Sequence, residues 1–194
     1  MAYTTIDDPT AYFQTVIYTG NATARSITFD GNTDMQPDWV WGKQRSGTDS
    51  HQVSDSVRGA TKKLNPDTTA AEDTTSTHVT AFNSNGFSVG TGGGFNGNTI
   101  TQVAWSWKES ATAGFDIVSY SGDGVEGRNI SHSLSAVPAM MIVKNRSGTT
   151  KWAVYHKNNT SAPGTDHLKL NESDATADDD STWDDTAPTS STFR

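Results

Sequence analysis

"PDWVWGKQRSGT", residues 37–48, recurs as "PAMMIVKNRSGT" at residues 138–149, with Pro, Lys, Arg, Ser, Gly and Thr at the same places in both versions. The comparison divides the stretch into two parts. In the first, Trp39 and Trp41 become Met140 and Ile142, while Val40 and Gly42 become Met141 and Val143. Side chains alternate faces along a strand, so a run that is apolar in both phases reads as a strand packed on both sides. The same alternation puts Trp39, Trp41, Lys43 and Arg45 on one face, an arrangement that also suits stacking of sugar rings. Replacement of both tryptophans by Met and Ile favours packing over a sugar platform. The second part, KxRSGT, is unchanged between copies. It reads as a strand leaving the core and entering a tight connection whose Gly supplies backbone freedom.

Further anchors extend the repeat on both sides. Tyr18, Gly20, Arg25 and Ile27 pair with Tyr120, Gly122, Arg128 and Ile130; "KLNPDTTAAED" at 63–73 pairs with "KLNESDATADD" at 169–179; and Phe87 falls opposite Phe193. This defines an N-terminal attachment segment at 1–15, a first unit at 16–108, a linker "ESATAG" at 109–114 and a second unit at 115–194. The second unit contains nothing that matches "SVGTGGGFNGNTITQVAWSWK" at 88–108. Two readings stay open: the polypeptide continues past Arg194, which is favoured, or the second unit borrows its last strand from elsewhere.

Within the first unit, "QTVIYTG", "RSITFD", "DWVWGKQ", "HQVSDSV", "HVTAFNS", "GFSVG" and "TITQVAWSWK" are short runs rich in β-branched and aromatic residues, separated by turn formers. The expected fold is all-β: two tandem antiparallel β-sandwich repeats, jelly-roll-like, with very little helix and the second lacking its last strand. The one helical start is "DDPTAYF", with Asp8 as cap and Pro9 in the first turn. "GTGGGFNGNT" at 90–99 leads into a strand and reads as a flexible loop tip.

Hydrophobic residues are only 32% of the chain, but six Trp, seven Phe and five Tyr do not fit a disordered polymer. The chain has no cysteine, so any metal would need oxygen or imidazole ligands. No apolar run approaches the roughly 20 residues of a membrane span, so no membrane insertion is expected. The net charge is −8, and seven of the 22 acids crowd residues 172–185, where no Lys or Arg occurs. The rest of the chain is nearly neutral and has no basic footprint for nucleic acid.

Together, "TTIDDPTAYFQTVIYTG", "SDSVRGATKKL", "FNSNGFSVG", "VAWSWK", "WAVYH" and "TAPTSSTF", with the repeated stretches above, resemble a repeated concanavalin- or laminin-G-like β-sandwich domain of tailed-bacteriophage virion proteins. Those proteins are tail-fibre or receptor-binding components. The resemblance implies location in the virion, after synthesis in the host bacterial cytoplasm, and assembly as a homo-oligomer. It also implies partners among other virion proteins and, at a host-facing tip, surface glycan. The family pattern continues past the equivalent of Phe193 with an "FxxG…YVAY" ending. It carries no catalytic residues onto this chain.

The candidate contact residues are therefore Lys43, Arg45, Lys144 and Arg146, since Arg holds carboxylate or sulfate groups through paired hydrogen bonds. Asp178, Asp179 and Asp180 offer oxygen ligands of the kind calcium takes, although no DxDxDG order is present, and a solvated loop anchored by Trp183 is the plainer reading. Beyond calcium no cofactor is implied. His51, His78, His132, His156 and His167 are scattered without zinc spacing, and no nucleophile, phosphate-loop or dinucleotide motif occurs. The expected function is that of a non-enzymatic structural or adhesive virion protein; a capsid decoration or connector protein and a polysaccharide depolymerase are the alternatives.

Overall fold

The computed structural model of the chain describes residues 5–194, so the first four residues of the expected attachment segment lie outside the described residues. From Asp8 onward that segment is part of the first sandwich. Asp8 accepts from the Thr10 N–H and caps a short 3-10 turn, Pro9–Ala11, as "DDPTAYF" predicts. It also accepts from the Thr33 hydroxyl, while Gln14 donates to the carbonyls of Thr10 and Thr33 and accepts from the Gly31 N–H. These bonds tie the segment to the loop before the central strand. Accordingly β1 (Phe13–Thr19) begins ahead of the boundary expected at Val16.

All seven strand runs of the first unit form strands. After β1 come β2 (Arg25–Ile27), β3 (Trp39–Gln44), β4 (Gln52–Asp55), the short hairpin β5 (Lys62–Lys63) and β6 (Asp73–Thr74), β7 (Val79–Asn83), β8 (Gly86–Val89), α1 (Gly93–Asn96) and β9 (Thr101–Trp107). One antiparallel sheet has the order β1-β9-β3-β4 and faces a second with the order β2-β8-β7. Between them lies the core: Val40 and Ala104 from the first sheet, Ile27, Val79, Phe87 and Val89 from the second, and Phe29, Met35 and Phe95 from the connections. The fold is an all-β antiparallel sandwich.

The alternation in "WVWGKQ" resolves the opening stretch in an unexpected way. The positions turned to the sandwich core are Val40, Gly42 and Gln44, all buried, whereas Trp39 and Trp41 lie on the opposite face. The core strand can be so small there because Phe95 fills the space: a Cβ on Gly42 would overlap the Phe95 ring. This corrects the reading of "GTGGGFNGNT" as a flexible tip. Its centre is the helical turn α1, with Gly94, Phe95 and Asn96 buried, because Phe95 has a socket over Gly42 and against Phe87. Asn96 fixes the turn by donating to the carbonyls of Thr23 and Gly90.

The second unit reuses part of this plan. Its strands are β10 (Ile130–Ser131), β11 (Met140–Val143), β12 (Ala153–His156), β13 (Asp166–Lys169), β14 (Ala177–Asp178) and β15 (Thr192–Phe193), with α2 (Asp180–Trp183) before the last. Ile130 pairs with Phe193 just as Ile27 pairs with Phe87. The sheet β11-β12-β13-β14 follows the course of β3 to β6, where Val53 bridges Leu64 to join β4 to the small hairpin. One ladder has no counterpart. In the first unit β9 lies between β1 and β3 and bonds to both. In the second, β11 pairs with β12 alone among the described residues, and residues 115–121, equivalent to β1, form no strand.

The tryptophan face is packed between the units. Trp39 lies opposite Trp107 and Trp41 opposite Trp105 across the β3–β9 ladder, and Phe115 closes over Trp39 and Trp107 at centroid distances of 6.4 and 6.1 Å. Trp39, Trp41, Val53 and Leu64 form one cluster with Ile142, Trp152 and Leu170 of the second unit. Trp152 also donates its indole N–H to the carbonyls of Asn65 and Thr68, both at 3.1 Å. Packing was the right expectation for Trp39 and Trp41, but they seal the seam and not the sandwich interior.

The fit of Phe95 over Gly42 is open to a direct test. Gly42→Val installs the residue found at the equivalent Val143, and it should cost about 2 kcal/mol in denaturant unfolding because the added methyls overpack the Phe95 socket.

Candidate functional site

The unchanged KxRSGT motif is explained first by its own turn. Lys43 Nζ folds back and donates to the carbonyls of Gln44 and Gly47, at 3.0 and 3.3 Å. Lys144 Nζ does the same to Asn145 and Gly148, both at 2.9 Å, and also reaches the Thr69 carbonyl of the first unit. In each copy the ammonium satisfies carbonyls that the turn leaves without a strand partner. Burial pulls the Lys144 ammonium below its ordinary value. Both lysines, expected as ligand contacts, are thus engaged in their own turns.

The two arginines have different fates. Arg146 donates from Nε and Nη2 to the two oxygens of Glu72, at 2.8 and 2.9 Å, and from Nη1 to the Ser119 hydroxyl. Glu72 also accepts from Arg58, which pairs with the buried Asp55, and the Glu72 N–H donates to the Arg146 carbonyl. Arg146 is therefore a bidentate bolt across the seam between units. Arg45 occupies the same motif position in the first unit but meets no such acid. It is exposed, and among the described residues its guanidinium has no hydrogen-bond or ion-pair partner. Of the four expected contacts, Arg45 alone remains available to an outside group.

The expected calcium ligands do not converge. Asp178 sits on β14 opposite Asp166, while Asp179 caps α2, accepting from the Ser181 N–H and the hydroxyls of Ser181 and Thr182. Glu172 and Asp174 pair with Lys169, and Asp184 with Arg194. Among the described residues no group of three His, Cys, Asp or Glu side chains is placed to hold a metal ion. Asp179 has its oxygens committed to capping, and its neighbours diverge from it along the chain. Trp183 is the anchor expected, 2% exposed, with its indole N–H on the Asp166 carbonyl and its ring edge-on to Tyr155.

A carboxyl pair at the linker is visible only in three dimensions. Residues 110–115 close a tight turn through reciprocal backbone bonds between Ser110 and Phe115, which brings Glu109 beside Asp116. Burial, then the hydrogen bond and charge of Asp116, and then the charge of Asp38 push the Glu109 carboxyl up to about 7. Burial also works against ionisation of Asp116. The hydrogen bond from Glu109 and the N–H groups of Ser133 and Ile117 overcome it and hold Asp116 below its ordinary value. Near neutral pH the pair shares one proton. "ESATAG" looks like a spacer of small residues, and its composition gives no sign that two acids meet across it.

A trough of about 690 Å³ lies in the second unit, lined by Tyr120, Gly122, Val125, Arg128, Asp180 and Arg194 among others. Elsewhere in this unit, β11 is bonded along one edge only, to β12, among the described residues. Among the described residues, four of the seven exposed large apolar side chains, Tyr120, Val125, Val137 and Met140, belong to this unit, with Met140 50% and Val125 65% exposed. An unpaired strand edge that carries an exposed Met140 suits another polypeptide better than a small polar ligand.

Two acids should respond to pH in opposite senses. Partial burial works against ionisation of Glu72, but the donors of Arg146 and Arg58 hold it below its ordinary 4.5, so its stabilising contribution is complete above that pH and fades below it. Glu72→Gln should therefore cost about 2 kcal/mol at neutral pH, with the difference shrinking as pH falls below 4.5 in thermal unfolding scans. Glu109 binds its proton more tightly when folded, so stability is lost as pH rises from 4.5 to about 7. Glu109→Gln, neutral at all pH and still able to donate to Asp116, should melt above the parent at alkaline pH and together with it at acid pH.

Comparison with known proteins gives a family and no activity. No curated protein and no solved structure matches the chain. One family model matches residues 8–194, nearly its full length, including both units and the turn that begins at Asp8. The chain belongs to the family described as a domain of unknown function, DUF7483.

Proposed function

We propose that the chain is a structural protein of a tailed-phage virion, part of a tail fibre or other host-facing appendage, whose second unit is an assembly surface for other virion proteins. The observation that carries this reading is the edge of β11 left unpaired among the described residues, with Met140 exposed on that strand. Soluble sandwiches ordinarily cover or charge such edges, because an open row of N–H and C=O groups recruits further strands. The internal use of Lys43, Lys144 and Arg146 supports the same reading, since the polar groups repeated between units serve the fold first. Arg45, exposed beside the aromatic face of β3, is the residue best placed to meet an acidic group on host surface glycan.

Mass spectrometry of purified particles should find the chain in stoichiometric amount, and antibody labelling in the electron microscope should place it on the tail. Label on the head would instead favour a decoration or connector protein. Absence from particles would overturn the reading.

A further inference from the structure

The seam uses only part of the sheet face that the tryptophans share. The ladders set Thr15, Trp105 and Trp41 side by side across β1, β9 and β3, and Ile17, Val103 and Lys43 side by side in the next row. Arg45 extends the same face just past β3, held opposite Thr101 by its N–H on the Thr101 carbonyl at 2.7 Å. Phe115 packs on Trp39 and Trp107, while Trp41 joins the seam cluster and donates its indole N–H to His51. Trp105 lies outside that cluster. It is half-buried, and among the described residues it packs against no other ring and its indole N–H has no acceptor. Ile17 beside it is 61% exposed, and the hydroxyls of Thr15 and Thr101 have no partner among the described residues.

We infer that this face binds an acidic polysaccharide, a chain of uronate or sulfated sugars, with one ring packed on Trp105 and Ile17 and the acidic group of a further sugar held by Arg45. The composition of the face selects that class of ligand. An indole offers a flat apolar surface to the C–H side of a sugar and an N–H to its hydroxyls, and threonine hydroxyls both donate and accept. Charge then discriminates among sugars. From the Trp105 row to Arg45 the face carries two cations, Lys43 and Arg45, and no acid, in a chain whose net charge is −8. Lys43 Nζ is committed to its own turn, which leaves the planar fork of Arg45 to take a carboxylate or sulfate through paired hydrogen bonds. Spacing sets the length: Trp105 and Thr101, the residue opposite Arg45, are four positions apart on β9, about 14 Å at ~3.4 Å per residue, so the ligand is an oligomer and not a single sugar. The inference rests on the glycan contact proposed for Arg45 and names the rest of that site and the class of glycan it takes.

The test titrates the 194-residue chain with alginate oligosaccharides, with dextran sulfate and with neutral dextran, following tryptophan fluorescence and using sedimentation to detect self-association. The expected result is saturable binding of an anionic polymer, weakened by added salt, and no binding of neutral dextran. Arg45→Gln should weaken it by at least about tenfold, because the charged hydrogen bonds to the acidic group are lost. Ile17→Glu, which sets an acid beside Trp105, should do the same. Both side chains are exposed, so the unfolding temperature should stay that of the parent. Lys157→Gln removes a cation from an exposed position of the second unit and should leave binding unchanged. No binding at about 1 mM oligosaccharide overturns the site, as does equal binding of neutral dextran. Binding that neither Arg45→Gln nor Ile17→Glu changes, or that Lys157→Gln weakens equally, also overturns it. So does self-association that Ile17→Glu abolishes, which would make a second copy the occupant. Failure to bind by a chain that is present in particles overturns the site and leaves the virion reading standing; binding by a chain absent from particles does the reverse.

Discussion

The two-sided ladder of β9 is the interaction on which the first sandwich depends. β9 joins β1 to β3, so removing it would break the four-stranded sheet into a lone strand and a hairpin, neither of which is stable alone. The second unit shows what happens at the same place without that ladder. Residues 115–121 contain apolar residues comparable to those of β1 but form no strand, and β11 has an open edge. Strand character in this fold is therefore a property of pairing, with local sequence preference only permitting it.

The same ladder arranges the tryptophans. By pairing β3 with β9 it aligns Trp39 with Trp107 and Trp41 with Trp105, an aromatic stripe that must be covered. Phe115, Ile142, Trp152 and Leu170 provide the cover, and Arg146 on Glu72 adds a directional bond where apolar contact alone would allow sliding. The seam is thus built from residues that the repeat places at equivalent positions but uses differently. Lys43 and Lys144 clamp their own turns in the same manner, while Arg45 and Arg146 diverge because only the second copy faces Glu72.

The strands of the first unit were legible because their alternation and turn residues are local signals. So was the capped turn at Asp8, and so was the equivalence of Ile27 with Ile130 and of Phe87 with Phe193, which the structure uses in two matching strand pairs. What was not legible depends on distant partners. Hydrophobicity ranks Trp39 above Val40 and Gly42 for the interior, yet the inward side is the small one because Phe95, more than fifty positions along the chain, fills it. For the same reason the glycine-rich stretch looks flexible in isolation and is buried in the fold. Glu109 and Asp116 meet only because the linker closes on itself, and the fate of Arg146 depends on Glu72 in the other unit.

Amide hydrogen exchange of the free chain measures the central contrast most directly. If pairing with a β9-type strand is what makes the sheet, the amides of Trp39–Lys43 should exchange slowly throughout. Those of Met140–Val143 not bonded to β12, together with residues 117–121, should exchange orders of magnitude faster. Equal protection at the two sites would contradict the account, because it would mean that the second unit has closed its edge without a strand in the place of β9.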